Sequence, residues 1–152
     1  MKDLSHIIWK GNLKKAKKLL ENGYDINSKY GELGFYPICS AMNSDNPIES
    51  LKFVIENGAD VNIERGYPLS EAFDLLIDGM SQSNKTEPFH EDVSIIKILI
   101  EQGADLEIKD ANGLTPFSVI NYYSNSYERF VELKNIFSKI IPNIDKYLTW
   151  KN

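Results

Sequence analysis

Three segments of the 152-residue chain share one pattern, and this repetition limits the possible folds more than any other feature. Each segment reads as two aliphatic residues, Glu, an amide residue, Gly, one variable residue, Asp, an aliphatic and a polar residue. The segments are residues 19–27, 54–62 and 99–107. A glycine after an apolar run supplies the left-handed residue that ends a helix, and the following Asp can bond the turn backbone. Three helix ends are therefore predicted, at Gly23, Gly58 and Gly103.

A second element alternates with the first and consists of an aromatic residue or Thr, then Pro, then an apolar residue. It occurs at residues 36–42, 67–73 and 115–120. Proline in the first turn of a helix loses no hydrogen bond, so Pro37, Pro68 and Pro116 predict three helix starts. The strict alternation of the two elements resembles the ankyrin repeat, a unit of about 33 residues, and the resemblance covers nearly the whole chain.

The resemblance implies an all-α solenoid of about four helix pairs, joined by short hairpin-like fingers. We expect one ankyrin-repeat domain over residues 1–152. Its units are predicted at 1–29 (N-terminal cap), 30–64, 65–109 and 110–152 (C-terminal cap). The helix pairs are predicted at 3–10 with 13–21, 37–43 with 48–56, 68–78 with 93–101, and 116–124 with 127–140.

Uneven spacing between the glycines predicts one insertion. Gly58 follows Gly23 by 35 residues, close to the family period, whereas Gly103 follows Gly58 by 45. The excess lies in a polar stretch rich in Gly, Ser and Asn. This composition predicts a loop over residues 79–91, after a short extension of the preceding helix. The finger before this unit is short, so a tight tip is expected at residues 64–66.

Composition and charge narrow the classes of partner. With 42% hydrophobic and 26% charged residues, the composition is that of a globular protein. The single cysteine, Cys39, allows no intrachain disulfide, and no signal peptide or membrane span is recognisable, so a cytoplasmic location is expected. The net charge of −5 argues against nucleic acid or an anionic membrane as partner and favours a basic protein. The free chain is expected to be a monomer.

Residues that could carry catalysis are few, and the sequence predicts neither an enzyme, nor a cofactor, nor a metal site. The two histidines, His6 and His90, fall in a capping helix and in the predicted loop, and no zinc, phosphate-loop or nucleophile motif occurs. Cys39 follows Pro37 by two residues and is expected to be a small buried hydrophobe. The alternative of another class is a hydrolase or redox pair of Cys39 with His6, which would need hydrogen-bond contact.

The resemblance also implies a binding surface formed by inner-helix faces and finger tips. Counting from each proline gives an acidic centre flanked by aromatic residues, which would suit a basic partner with aromatic anchors. The predicted partner-binding residues are Trp9, Tyr30, Phe35, Asn43, Glu71, Asp74, Asp78, Lys109, Asn112, Tyr122 and Tyr123. The alternative interpretation is that these carboxylates form only a solvated helix face.

Three functions are compatible with this surface. A short acidic ankyrin chain resembles the immunity proteins of bacterial polymorphic-toxin systems, which implies an inhibitor of a basic toxin domain. The alternative among binding proteins is a regulatory adaptor or a host-directed bacterial effector. A third possibility is a structural piece that stacks on a second copy through the apolar residues 140–150.

Overall fold

A computed structural model describes residues 3–151. This part of the chain contains eight α-helices and one 3₁₀ turn, at Ile144–Lys146. The helices are α1 (Leu4–Trp9), α2 (Leu13–Glu21), α3 (Pro37–Met42), α4 (Pro47–Glu56), α5 (Ile63–Gln82), α6 (His90–Glu101), α7 (Ser118–Tyr123) and α8 (Tyr127–Ser138). The β-type pairing described within residues 3–151 is one antiparallel bridge, between Tyr30 and Phe35. The predicted all-α class is confirmed.

The repeated glycine turns have the predicted geometry. The φ angles of Gly23, Gly58 and Gly103 are 97°, 94° and 96°, in the left-handed region that ends a helix at low cost. In all three turns, the Asp two residues later accepts a hydrogen bond of 2.9 Å from the backbone N–H two residues further on. The local pattern of the sequence therefore sets the ends of α2, α4 and α6.

The predicted proline starts are confirmed at Pro37 and wrong at Pro116, and Pro68 lies inside the span assigned to α5, two residues after its last non-helical residue. Pro37 is the first residue of α3, as predicted. Pro116, however, lies two residues before α7. The N–H groups of Ser118 and Val119 donate to the carbonyls of Thr115 and Pro116, which makes residues 115–117 a tight turn instead of a first helical turn.

The expected tight tip is present inside the span assigned to α5. Glu64, Arg65 and Gly66 have φ angles of 49°, 56° and 83°, so three successive residues are left-handed before the regular helix begins. The Gly66 backbone also lies against Ile108, whose Cγ2 atom would be 2.4 Å from a Cβ placed on the glycine. Any other residue at position 66 would have unfavourable backbone torsion angles and too little space for its Cβ atom.

The predicted insertion is shorter than residues 79–91. The helix continues to Gln82 because it still buries residues there: Ile77 and Met80 are 6% and 1% exposed. The loop spans residues 83–89, and α6 begins at His90, which was expected to lie in the loop. At Gly79, a Cβ would be 3.0 Å from the Phe89 ring, so the end of the loop packs directly onto the helix.

The chain divides into two compact units, between Ile63 and Glu64. We refer to them as the N-terminal and C-terminal units. Leu4, Ile8 and Leu51 are fully buried in the N-terminal core. In the C-terminal core, the ring of Phe73 lies 5.2 Å from that of Phe117 and 5.7 Å from that of Phe137. Each unit therefore has its own apolar core.

Candidate functional site

The net charge of the protein resides entirely in the C-terminal unit. Residues 1–63 contain eight lysines and eight acidic residues, whereas residues 64–152 contain nine basic and fourteen acidic residues. The acidic excess makes this unit the part of the chain that attracts a cation.

Three carboxylates, Glu71, Asp74 and Asp78, form a stripe on α5, which we call the acidic face. Glu71 is half-buried, and Asp74 and Asp78 are exposed. Their spacing of three and four residues places them on one side of the helix. The opposite side is buried and includes Phe73 and Leu76. Burial of that apolar side fixes the direction in which the acidic face points.

The three carboxylates of the acidic face repel one another. Partial desolvation raises the pKa of Asp74, and the negative charges of Glu71 and Asp78 raise it further. Much of the Asp74 side chain is nevertheless exposed, so solvent weakens the repulsion without removing it. A cationic group placed over the stripe would relieve this repulsion.

Polar contacts connect the end of α5 to the turn between α7 and α8. The Asn125 carboxamide donates to Ser81 Oγ at 3.2 Å, and the Arg129 guanidinium donates to the same oxygen at 3.1 Å. Asp78 precedes Ser81 by one turn of α5, and Tyr122 lies three residues before Asn125, near the end of α7. Tyr122 and its neighbour Tyr123 are 53% and 63% exposed. This end of the C-terminal unit thus carries both exposed acids and exposed tyrosines.

The last finger, which carries Lys109 and Asn112, lies in the same unit and has a hydrogen-bonded backbone. Asp110 accepts hydrogen bonds from the N–H groups of Asn112 and Leu114, at 2.8 and 3.0 Å. The predicted partner residues Lys109 and Asn112 are both exposed on it. The hydrogen bonds to Asp110 therefore fix the backbone that carries Lys109 and Asn112.

In the N-terminal unit, the first finger is joined to α1. Ser5 Oγ donates to the carbonyl of Phe35 at 2.8 Å, and Tyr30 and Phe35 exchange two backbone hydrogen bonds of 2.9 Å. Trp9, one turn after Ser5, and Phe35 are 46% and 53% exposed. At the finger tip, Leu33 is 82% exposed. This arrangement presents large apolar side chains on a short, hydrogen-bonded frame.

Two other predicted residues of this unit are engaged with the protein itself. The Tyr30 hydroxyl donates to the carbonyl of Asp25 at 2.7 Å, and burial raises the pKa of Tyr30. The Asn43 carboxamide donates to the Cys39 carbonyl of its own helix at 2.9 Å. Tyr30 therefore braces the finger, and Asn43 helps to close the end of α3.

Known proteins resemble the chain over most of its length. No family model matches it. It is 30% identical over 104 residues to the human SH3 and multiple ankyrin repeat domains protein 2, a match that covers 68% of the chain. It is also 29% identical over 120 residues, or 75% of the chain, to an ankyrin repeat protein of Rickettsia bellii. The chain is an ankyrin-repeat protein. The predicted ankyrin fold class is thereby confirmed.

The two matches cover very different shares of the relatives' own lengths. This ankyrin-repeat protein spans 5% of the length of the human protein and 64% of the length of the rickettsial one. The division into four repeats over residues 1–152 stays a prediction.

The cysteine and the first histidine of this ankyrin-repeat protein lie on two helices of the N-terminal unit, Cys39 on α3 and His6 on α1. Cys39 is buried at 4% exposure, as predicted, and the ring of His6 lies 5.8 Å from that of Trp9. Across residues 3–151, no three His, Cys, Asp or Glu side chains are grouped so that they could hold a metal ion. In the same range, no helix is both long and apolar enough to span a bilayer.

Sequence reasoning missed two exposed tyrosines. Tyr67 and Tyr127 are 43% and 62% exposed. The count from each proline omitted Tyr67 because this residue precedes Pro68. Tyr127 was assigned only to the start of the last capping helix. The position of Tyr67 repeats that of Tyr36 before Pro37, but Tyr36 is half-buried, so the repeat alone does not predict the exposure of Tyr67.

Proposed function

We propose that this ankyrin-repeat protein is a non-enzymatic binding module that sequesters or inhibits a basic protein partner. The observation that carries the proposal is the stripe of Glu71, Asp74 and Asp78 on α5, in which the two aspartates are exposed. Carboxylates crowded on a fixed helix face attract a cationic partner and speed its association. The excess of acidic residues in the C-terminal unit extends the negative electrostatic potential beyond the stripe.

Exposed aromatic residues supply the second part of such an interface, and Tyr122 and Tyr123 lie in the unit that carries the acidic face. In the N-terminal unit, Trp9 and Phe35 are exposed and form a separate pair of candidate anchors. Aromatic side chains bury a large area while losing few rotamers, which makes them effective anchors at interfaces. Charge would then accelerate encounter, and aromatic contacts would prolong the complex.

The specific role that we propose is inhibition of a toxin in the manner of a bacterial immunity protein. A toxin that cleaves nucleic acid needs a positively charged surface to hold its polyanionic substrate. An acidic face docked on that surface would exclude the substrate by occupying the same cationic groups. The similarity to a bacterial ankyrin repeat protein is compatible with this role.

Charge reversal on the acidic face tests the proposal. The probe is the product of the adjacent open reading frame, co-expressed in cells and titrated by calorimetry. We expect Asp74→Lys with Asp78→Lys to weaken binding at least tenfold and to abolish protection of the cells. The matched control is Glu87→Lys with Glu128→Lys, which changes the net charge equally at two other exposed sites of the same unit.

The control variant should bind within about threefold of the original chain, since its charges lie outside the acidic face. Equal protection by the reversed and the control variants, with both folded by circular dichroism, would exclude this role. Protection that is lost only on substitution of Trp9 and Phe35 would move the contact to the N-terminal unit.

A further inference from the structure

Asn121 holds the end of the described chain through three hydrogen bonds. It is 9% exposed and lies in α7. Its Nδ2 donates to the Tyr147 carbonyl at 3.1 Å, and its Oδ1 accepts from the Thr149 N–H at 2.9 Å. The Asn121 backbone carbonyl accepts from the Lys151 N–H at 3.2 Å. Bonds to every second residue are the pattern made by an extended segment, and here they begin at Tyr147, the residue that ends the 3₁₀ turn. We call residues 147–151 the tail.

The side chains of the tail pack into an aromatic wall. The ring of Tyr147 stacks on Phe117 with 4.9 Å between centroids, and Leu148 is 2% exposed. The ring of Trp150 lies 5.5 Å from Phe130 and 5.6 Å from Tyr127. The residues that receive the tail, which we call the tail site, are Phe117, Asn121, Tyr127 and Phe130. When a peptide binds through its backbone, apolar pockets beside it can discriminate between its side chains.

The chemistry of Asn121 suits recognition of a peptide backbone. A carboxamide carries both a donor and an acceptor, and here each is satisfied by a main-chain group of the tail. The Asn121 carbonyl lies near the end of α7, where helical carbonyls lack partners within the helix, and the tail supplies one. An apolar residue at this position would pack against the tail without these bonds. The arrangement is therefore directed at an extended polypeptide.

We propose that the tail site is a binding site for an extended peptide with an aromatic residue first, Leu second and Trp fourth, and that the chain's own tail fills it. Asn121 recognises the peptide backbone, and the aromatic wall selects the side chains. The tail competes with any peptide from outside at an effective concentration on the order of millimolar. The resident tail thereby regulates access to the site.

The test uses the full chain with its tail made unable to compete, through Leu148→Asp with Trp150→Ala. The probe is a fluorescein-labelled peptide with the sequence of residues 143–151, followed by fluorescence anisotropy. We expect it to bind this vacated variant and to bind the original chain at least tenfold more weakly, because the intact tail occupies the site. Adding Asn121→Ala to the vacated variant should weaken binding at least tenfold, whereas adding Asn135→Ala, at an exposed site on α8, should not.

Two further measurements keep the proposal testable if Asn121→Ala does not fold. Asn121→Asp keeps an acceptor for Thr149 but loses the donor to Tyr147, so it should weaken peptide binding by a smaller factor. In the original chain, the Thr149 and Lys151 amides should resist hydrogen exchange and lose that protection when excess peptide displaces the tail. A folded vacated variant that fails to bind the peptide, or that binds it equally well without Asn121, would overturn the proposal.

Discussion

The Asn27 carboxamide joins two successive repeat turns, because its Oδ1 accepts a hydrogen bond of 2.8 Å from the Asp60 N–H. Its Nδ2 donates to the Gly58 carbonyl at 3.1 Å. One side chain from the first turn therefore satisfies two main-chain groups of the second. The connection links segments 33 residues apart within the N-terminal unit.

Asn27→Ala should destabilise the N-terminal unit by about 1–2 kcal/mol, because it leaves one donor and one acceptor of the next turn unpaired in the protein. Urea denaturation followed by circular dichroism measures this loss. Asn22→Ala is the control, since Asn22 is an exposed asparagine of the same first turn. Equal effects of the two substitutions would show that the connection contributes nothing to stability.

Gly66→Ala should destabilise the C-terminal unit by about 2–4 kcal/mol. The added methyl group would lie 2.4 Å from Ile108 Cγ2, on a backbone with φ of +83°. Gly113→Ala is the control because φ there is +77°, but no atom lies within 4 Å of the added Cβ. It should cost only about 1 kcal/mol, the torsional part. Comparing the thermal unfolding of the two variants separates the cost of steric crowding from the cost of the backbone torsion angle. Equal losses of stability would contradict the close contact with Ile108.

Asp92 is predicted to make stability depend on pH. Burial raises its pKa from 3.8 to about 6, with a smaller contribution from the charge of Glu91. The side chain lies beside the Gly79 backbone, where a Cβ would be 3.2 Å from its Oδ2 atom. Since the folded pKa exceeds the unfolded one, the folded state binds the proton more tightly. Stability from this group is present below pH 4 and is lost as the pH rises through 6.

Asp92→Asn should therefore stabilise the protein at pH 7.5, by about 1 kcal/mol after allowance for partial solvent screening. The gain relative to the original chain should shrink as the pH falls from 7 to 4, where Asp92 itself becomes neutral. Urea midpoints over this range measure the effect, and Glu87→Gln serves as the exposed control. A gain that stays constant with pH would contradict the raised pKa.

The repulsion within the acidic face can be measured directly. Glu71→Gln or Asp78→Asn should each lower the pKa of Asp74, because each removes a negative charge that raises it. Carboxyl chemical shifts followed by NMR titration give this pKa. Glu101→Gln, on α6, is the control and should leave it unchanged. A pKa of Asp74 that does not respond to either neighbour would contradict the mutual repulsion.

Much of the fold could be predicted because its signals are local. The bounds of α2 were predicted to the residue, since Asn12 caps its start and Gly23 follows its end. The start of α7 was wrong because Pro116 is compatible with a tight turn as well as with a first helical turn. The loop after α5 was predicted too long because Gly79 has a low helix propensity. In the structure the helix continues past Gly79, which packs against Phe89, and Met80 is buried.

The candidate site could be predicted less completely. Spacing from Pro68 identified the acidic face because the residues of one helix have a fixed register. The tail site could not be found in this way. Asn121 and its tail partners are 26 and 28 residues apart, and only the tertiary fold brings them together. The partner-binding roles of the remaining predicted residues, from Trp9 to Tyr123, stay predictions.

The unequal distribution of charge between the two units has a practical consequence. A fragment that ends at Ile63 would have no net charge near neutral pH, whereas the complementary fragment from Glu64 would carry all five excess negative charges. Limited proteolysis at the boundary would thus yield products that separate readily on an anion exchanger. Near neutral pH, electrostatic repulsion between copies would keep only the second fragment in solution. The two fragments should therefore precipitate at different pH values.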